Sequence, residues 1–341
     1  MKKKAKQPKD SKKPKKSEKG AKASNVKKGL KAKKSKSGKK SAAKAGLPAD
    51  SPAHYSDGHP LDEIQFLESK IILKGERFTS LDSFNEFAKL VKRAAEATGV
   101  GFSRKGFKGL QPELREVLFL DTADFKLYNN AFILRRRTPY EHGFLAGDPE
   151  MVFKFRHTDQ TKTAALDVRP KLAGPYQIKF KAEALPLKEE LGGIRMLYSH
   201  NAQFPMSSMH EADRNSMATL VRVFPALAAL NTADGENVEF VNQTAVVEVL
   251  LDLGMLDFGK GVTAKANVAV WRTRGDEKQL VGEFAYQAKF RRQSDVDAAA
   301  MKRNEQFFVT LQHIASDWVA PGITKTGAVY RLKGNPPSAH E

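Results

Sequence analysis

The chain has 341 residues and a formal net charge of +19, room for one large or two modest domains. It contains no cysteine, which excludes disulfides, thiolate metal sites and cysteine nucleophiles. The charge is lopsided: residues 1–44 hold 20 lysines against Asp10 and Glu18, whereas the rest holds 38 basic and 37 acidic residues, so the body is nearly neutral.

Residues 1–60 are mostly Lys, Ala, Ser, Pro and Gly. With almost no large apolar side chain, such a segment cannot offset its ordering entropy, so a disordered tail is predicted. It reads either as a solubilising or targeting extension or as an electrostatic arm for nucleic acid, polyphosphate or an anionic membrane. Apart from Tyr55 near its end it has no Phe, Trp or Tyr, so stacking on bases is not expected and binding should be non-specific. Residues 61–335 are predicted to form one packed domain. A strand is expected over 64–74. Thr79 to Thr98 reads as a helix, with Leu81, Phe84, Phe87, Leu90 and Val91 on one stripe and Ser80 or Asp82 as its cap. A Gly/Lys-rich loop over 99–112 precedes strands near 116–121, 131–138, 150–157, 165–169 and 176–183. The stretch 184–240 is less regular, with a helix near 213–230 interrupted at Pro225. Strands resume near 243–252, 264–274 and 279–291. Ser294 to Val319 keeps helical spacing through Phe307, Leu311 and Trp318. Many strands and a few long helices predict an α+β domain built on a curled or closed sheet. No apolar stretch approaches the roughly 20 residues of a membrane span. The basic N-terminus lacks the apolar core of a signal peptide. A soluble, cytoplasmic protein is expected, and the oligomeric state is open.

Several of these strands alternate basic and apolar residues. They include Ile133-Leu134-Arg135-Arg136-Arg137, Val152-Phe153-Lys154-Phe155-Arg156, Gln177-Ile178-Lys179-Phe180-Lys181 and Glu283-Phe284-Ala285-Tyr286-Gln287. Residues two apart on a strand share a face, so the sheet has one basic and one apolar side. A basic face flanked by a few carboxylates suits a polyphosphate chain and a divalent metal. A single such strand is an ordinary solvated sheet face; a row of them in one domain favours a site. The histidines have no metal-ligand spacing. Leu256-Asp257-Phe258-Gly259-Lys260-Gly261 reads as a turn, without the Ser/Thr of a phosphate loop. Ser199-His200 lacks the setting of a catalytic serine.

The segment Leu118-Phe119-Leu120-Asp121-Thr122-Ala123-Asp124, followed by Leu127 and then Leu134-Arg135-Arg136-Arg137, resembles the CYTH, or triphosphate tunnel metalloenzyme, superfamily. The order of elements from about 62 to 290 resembles it as well. The resemblance implies an antiparallel β-barrel whose interior is a basic tunnel, flanked by helices, binding triphosphate or polyphosphate with Mg2+ or Mn2+. It implies hydrolysis of the ligand, or a non-catalytic polyphosphate- or nucleic-acid-binding protein on the same barrel. Carried over residue by residue, Glu68 and Glu283 would serve catalysis as metal ligands, and Lys70, Arg135, Arg137, Lys154 and Arg156 would hold phosphate. Lys179, Lys181, Arg272 and Arg274 would join the tunnel, and Glu248 would supplement the metal site. The family's paired carboxylates are incomplete here, with Phe66 and Ala285 at the two missing positions. Asp121 and Asp124 read either as site residues or, preferably, as caps of the short helix after them.

Overall fold

The computed structural model describes residues 53–109, 111–209 and 214–337. The expected tail lies outside them as far as residue 52. Packed structure starts before Leu61: Tyr55 is buried and its hydroxyl donates to Asp62 Oδ2 at 2.9 Å. His200, wholly buried, holds the same carboxylate through Nε2 at 2.9 Å and faces the Thr163 carbonyl with Nδ1 at 3.2 Å. These three contacts fasten residues 53–62 to the outside of the sheet.

The elements run β1 (Phe66–Leu73), α1 (Leu81–Thr98), β2 (Gly101–Ser103), β3 (Glu113–Asp121), α2 (Lys126–Asn129), β4 (Phe132–Glu141), β5 (Phe144–Leu145), β6 (Glu150–His157), α3 (Gln160–Ala165), β7 (Gln177–Leu185) and β8 (Arg195–Pro205). There follow α4 (Met217–Val223), β9 (Glu239–Phe240), β10 (Val246–Asp257), β11 (Thr263–Thr273), β12 (Gln279–Lys289), α5 (Ala298–Ile314) and α6 (Lys325–Tyr330). Nine strands close a barrel in the order β10-β11-β12-β1-β7-β8-β6-β4-β3, and pairing of Val246–Leu250 with Glu113–Val117 seals it. One seam, β1 with β7, is parallel, and the others are antiparallel. The barrel is therefore mixed, a refinement of the antiparallel expectation.

Alternation along each strand separates an inner from an outer face. On the outer face, Phe84, Phe87 and Val91 of α1 and Phe307, Phe308 and Leu311 of α5 pack on Ile71, Leu73, Phe284 and Tyr286. The cap of α1 is Ser80: Ser83 Oγ accepts from its N–H at 3.4 Å and donates to its carbonyl at 2.5 Å. Gly99 ends the helix at φ 65°, a conformation that suits glycine. Helix α5 is shorter than its periodicity suggested, because Asp297 accepts from the N–H groups of Ala299 and Ala300 and sets its start. A second outer core joins Phe132, Phe153 and Phe204 to Met217, Leu220 and Phe224. Inside the barrel, one end is filled by Ile72, Val117, Phe119, Ile133, Trp271 and Val281, against which Val329 and Tyr330 of α6 pack.

Several elements differ from expectation: the short strands β2, β5 and β9 were not predicted, and α4 covers only part of the helix expected near 213–230. Residues 165–169 are not a strand; Asp159 accepts from Lys162 N–H and starts α3 instead. Strand β8 runs through the stretch read as irregular, because its inward residues are the neutral Ser199, Asn201 and Gln203 and give no charge signal. Helix α6, six residues long, is too short for a periodicity to show.

Candidate functional site

The unfilled part of the barrel interior is a cavity of about 300 Å³ lined by alternate residues of the inward faces. Glu68 and Lys70 come from β1, Arg135 and Arg137 from β4, Glu150, Lys154 and Arg156 from β6, Lys179 and Lys181 from β7, and Glu283 from β12. The period of two in each strand brings them together, as the sequence pattern predicts. Arg272 and Arg274 are corrections. Trp271 and Thr273 take the inward positions on and just beyond this part of β11, so both arginines point out. Arg272 pairs with exposed Glu277 at 3.5 Å, and Arg274 pairs with Glu116 at 2.5 Å.

Glu150, on the face of β6 shared with Lys154 and Arg156, was not read from the sequence as a lining group, nor were four others. Glu183, wholly buried on β7, continues the period of Lys179 and Lys181 and lies in register beside Glu68. Asn201 and Gln203 come from β8, and Lys325 comes from α6. The continued alternation past Lys181 was the available signal for Glu183; Lys325 had none.

The cavity has two kinds of wall. On the β1/β7 side the charges are paired. Lys70 Nζ lies 2.9 Å from both Glu68 Oε2 and Glu183 Oε2. Burial alone would lower the Lys70 ammonium, but Glu183, Glu68 and Glu283 outweigh it and hold it above the usual lysine range. Burial alone would raise Glu68, but Lys181 and Lys70 outweigh it and hold the carboxyl low. Glu183 is held low in the same way by Lys154 and Lys70. Near the filled end, Lys325 Nζ sits 2.8 Å from Glu283 and 3.4 Å from Glu248, over the Trp271 ring. Glu248 also accepts from Trp271 Nε1 at 2.8 Å, and despite burial Lys325 and Arg137 keep it ionised.

On the β4/β6 side the cations are in excess. Arg135 and Arg156, and Lys179 near the start of β7, have no carboxylate within ion-pair distance among the described residues, whereas Arg137 and Lys154 reach Glu150 and Glu183 at 3.4 and 3.3 Å; Arg156 Nε and a terminal nitrogen are buried without a hydrogen-bond partner. Burial and the neighbouring Arg137 push the Arg135 guanidinium down to about 10. Burial pushes the Lys154 ammonium down to about 7, against the pull of Glu183 Oε1 at 3.3 Å.

The two missing carboxylate positions have other uses. The Phe66 ring lies under the ammonium groups of Lys181 and Lys289, at 5.9 and 5.7 Å. Ala285 stands in register beside Lys70 and leaves room for it. Asp121 is a cap of α2, as expected, but Asp124 is not: it holds the Thr122 hydroxyl, whose oxygen accepts from Lys126 N–H. Asp121 accepts from the N–H groups of Thr122, Leu127 and Tyr128 and from the Tyr330 hydroxyl.

Glu68, Glu283 and Glu248 do not form one cluster. Among the described residues no three Asp, Glu or His side chains are grouped to hold a metal. Glu68 and Glu183, ionised and converging on one ammonium, are a donor pair that fits a hard divalent cation once phosphate oxygens complete the shell.

No protein-family profile and no curated protein matches this chain. Among solved structures it is similar to the Hippeastrum protein HpAC1, an adenylyl cyclase candidate described as having a dominant triphosphatase activity. The two share 15% identity over 82% of this chain and 100% of that one, with a TM-score of 0.39. It is similar to an adenylate cyclase candidate from Bacillus halodurans, at 12% identity over 77% of this chain and 95% of that one, TM-score 0.34. A Pyrococcus horikoshii protein gives 12% identity, 76% and 96% coverage and a TM-score of 0.29. On its own strand pairing, the chain is the closed β-barrel with flanking helices that the resemblance implied, and its cavity is lined with cations. Among the described residues no helix is long and apolar enough to cross a membrane.

Proposed function

We propose that the barrel interior binds a triphosphate-containing or polyphosphate anion with Mg2+ or Mn2+, and that the protein hydrolyses its terminal phosphoanhydride. The observation that carries this reading is the set of cations lining the barrel, Arg135, Arg156 and Lys179, that have no carboxylate within ion-pair distance among the described residues. An uncompensated buried charge costs several kcal/mol, so the arrangement calls for an anion with several oxygens. Arg135 and Arg137 suit bidentate contacts to phosphate; Lys70, Lys154, Lys179 and Lys181 spread charge along the chain. Glu68 and Glu183 would hold the metal, with Glu283 nearby behind Lys325. Bound there, the metal would supply charge neutralisation and orient water. Phosphoryl transfer depends chiefly on such positioning. Lys154, with its ammonium near neutrality, is suited to give a proton to the departing oxygen.

A second reading has its own observation. Each carboxylate in the barrel already faces an ammonium or guanidinium, Glu283 and Glu248 sharing Lys325. A barrel so neutralised would bind polyphosphate without turning it over. The Lys-rich residues 1–44 would add non-specific attraction to polyanions, nucleic acid among them, which falls steeply with salt.

The test is to mix the protein with inorganic tripolyphosphate, with Mg2+, Mn2+ or a chelator, and follow phosphate release and thermal stability together. Metal-dependent release, lost in Glu68→Gln while the thermal shift persists, is the expected result. A thermal shift without release selects the second reading. Neither shift nor release would overturn both.

A further inference from the structure

The strand registers order the β6/β8/β7 wall of the inner cavity into layers. Innermost, Arg156, Ser199 and Lys181 stand side by side, and Lys154, Asn201 and Lys179 form the next layer. Then come Val152, Gln203 and Gln177, and at the lip Glu150 stands beside Pro205. The filled end fixes the direction: Ile133, which belongs to it, is the register partner of Lys154, whereas Arg137 is that of Glu150. Read outward, the wall passes from two cations in a layer to none and then to a carboxylate. Successive layers lie two residues apart, about 7 Å, so the cationic stretch has the length of a short phosphate chain. Beyond the two glutamines an open groove of about 390 Å³ continues the cavity and shares Glu150 and Gln203 with it. Asp148 and Glu150 are the charged residues on its lining, and no cation lines it. Around the rest of the mouth, Arg137, Arg115 and Lys265 are answered by Glu150, Glu113 and Asp252 at 3.4, 2.7 and 2.7 Å. Lys289, over the Phe66 ring, has no carboxylate in reach among the described residues.

We propose that Gln177 and Gln203, with Glu150 and Asp148 in front of them, end the phosphate track and set the length of chain that the barrel accepts. The inference rests on the phosphate reading above and narrows it to a chain of a few phosphates, with long polyphosphate excluded. A short chain keeps all of its charge among the cations of the two inner layers. A longer chain cannot continue through the far end, which Ile72, Trp271 and Val281 fill. Its next phosphates would lie in a layer without a cation and then alongside two carboxylates, where like charges repel. Discrimination of this kind comes from what the mouth withholds as much as from what the interior offers.

The full-length protein is tested with tripolyphosphate and with a long linear polyphosphate at equal chain concentration. Raised salt screens the attraction of residues 1–44 for either anion. The readout is the thermal shift of the folded barrel, converted to affinity. Wild type should bind tripolyphosphate about tenfold or more tightly than the long chain. Gln177→Lys/Gln203→Lys carries the cations one layer outward and should raise the affinity for the long chain, relative to tripolyphosphate, by about tenfold. Gln160→Lys/Thr161→Lys adds the same charge at two exposed positions of α3, outside the barrel, and should leave that ratio unchanged. Equal or tighter binding of the long chain by wild type would overturn the inference and leave the phosphate reading standing. So would an unchanged ratio in the mouth variant that still binds tripolyphosphate, or an equal rise in the α3 variant. No shift with either anion would overturn both.

Discussion

The two walls of the inner cavity are made from the same kind of strand and differ in one respect. Along β1 and β7, Glu68, Lys70, Lys181 and Glu183 answer each other's charge within 3.3 Å. Along β4 and β6, Arg135 and Arg156 have no carboxylate within ion-pair distance among the described residues, although Arg137 and Lys154 beside them reach Glu150 and Glu183. A neutralised wall is part of the folded scaffold, and its members hold one another in place without a ligand. An unneutralised wall has its desolvation uncompensated until something negative enters. Burial of charge alone therefore does not identify a ligand site; the imbalance between facing walls does.

The sharpest way to break that contrast is Glu183→Ala. It strands Lys70 and Lys154 beside each other in a buried place and should destabilise the protein by about 3–5 kcal/mol, the usual result of removing one partner of a buried pair. Chemical denaturation checks it, and a loss under about 1 kcal/mol would show that the paired wall is not structural. Arg135→Met should do the reverse. Stability should hold or rise, while tripolyphosphate affinity falls by about 1.5–3 kcal/mol, the scale of a charged hydrogen bond. Equal losses of stability in the two variants would erase the distinction between walls.

Proton linkage sharpens the comparison further. The folded-state pKa of Lys154 is depressed to about 7 by burial, below its unfolded value. Between these values the unfolded chain binds more protons than the folded one, so this residue's contribution to stability increases as pH rises through about 7 and beyond. Ligand binding should run the other way, because the anion needs the ammonium. Tripolyphosphate affinity should weaken by up to about tenfold as pH rises through 7, a loss of roughly one charged contact. Lys154→Arg should remove that part of the pH dependence, since arginine stays charged. A pH profile unchanged by the arginine would assign the dependence to the ligand. The smallest effect is expected outside the barrel: Arg272→Ala removes an exposed pair with Glu277 and should change stability by less than about 1 kcal/mol and affinity not at all.

Much of the cavity was legible in the sequence because strand alternation projects directly onto it. Lys70, Arg135, Arg137, Lys154, Arg156, Lys179, Lys181 and Glu283 all reach the lining from their expected positions. Arg272 and Arg274 did not, because the inward place on that strand belongs to a tryptophan. Face can be read from a repeated charge but not from a pair beside a large aromatic. Glu183, the last residue of the strand expected over 176–183, continues the alternation of Lys179 and Lys181 with the opposite charge and so falls outside the basic pattern, while Asn201 and Gln203 were hidden by their neutrality. Lys325 arrives on a helix whose placement depends on the rest of the chain: Tyr330 on Asp121, and Asn242 on the carbonyls of Val329 and Tyr330. No local pattern encodes such a contact.

The seams of β1 carry a consequence for how the molecule forms. Phe66 pairs with Lys181 on one side and with Lys289 on the other, so both neighbours of the first strand are far along the chain. Loop closure over such separations precedes any gain from the contacts, which places this fold among slow, high-contact-order topologies. During synthesis β1 emerges first and is docked last, after β12 has left the ribosome. Until α5 follows β12, the apolar outward side of β1, including Ile71 and Leu73, lacks one of the two helices that cover this face in the finished fold. A chain truncated before β12 would therefore be a candidate for aggregation through this strand, with the inner cavity never assembled.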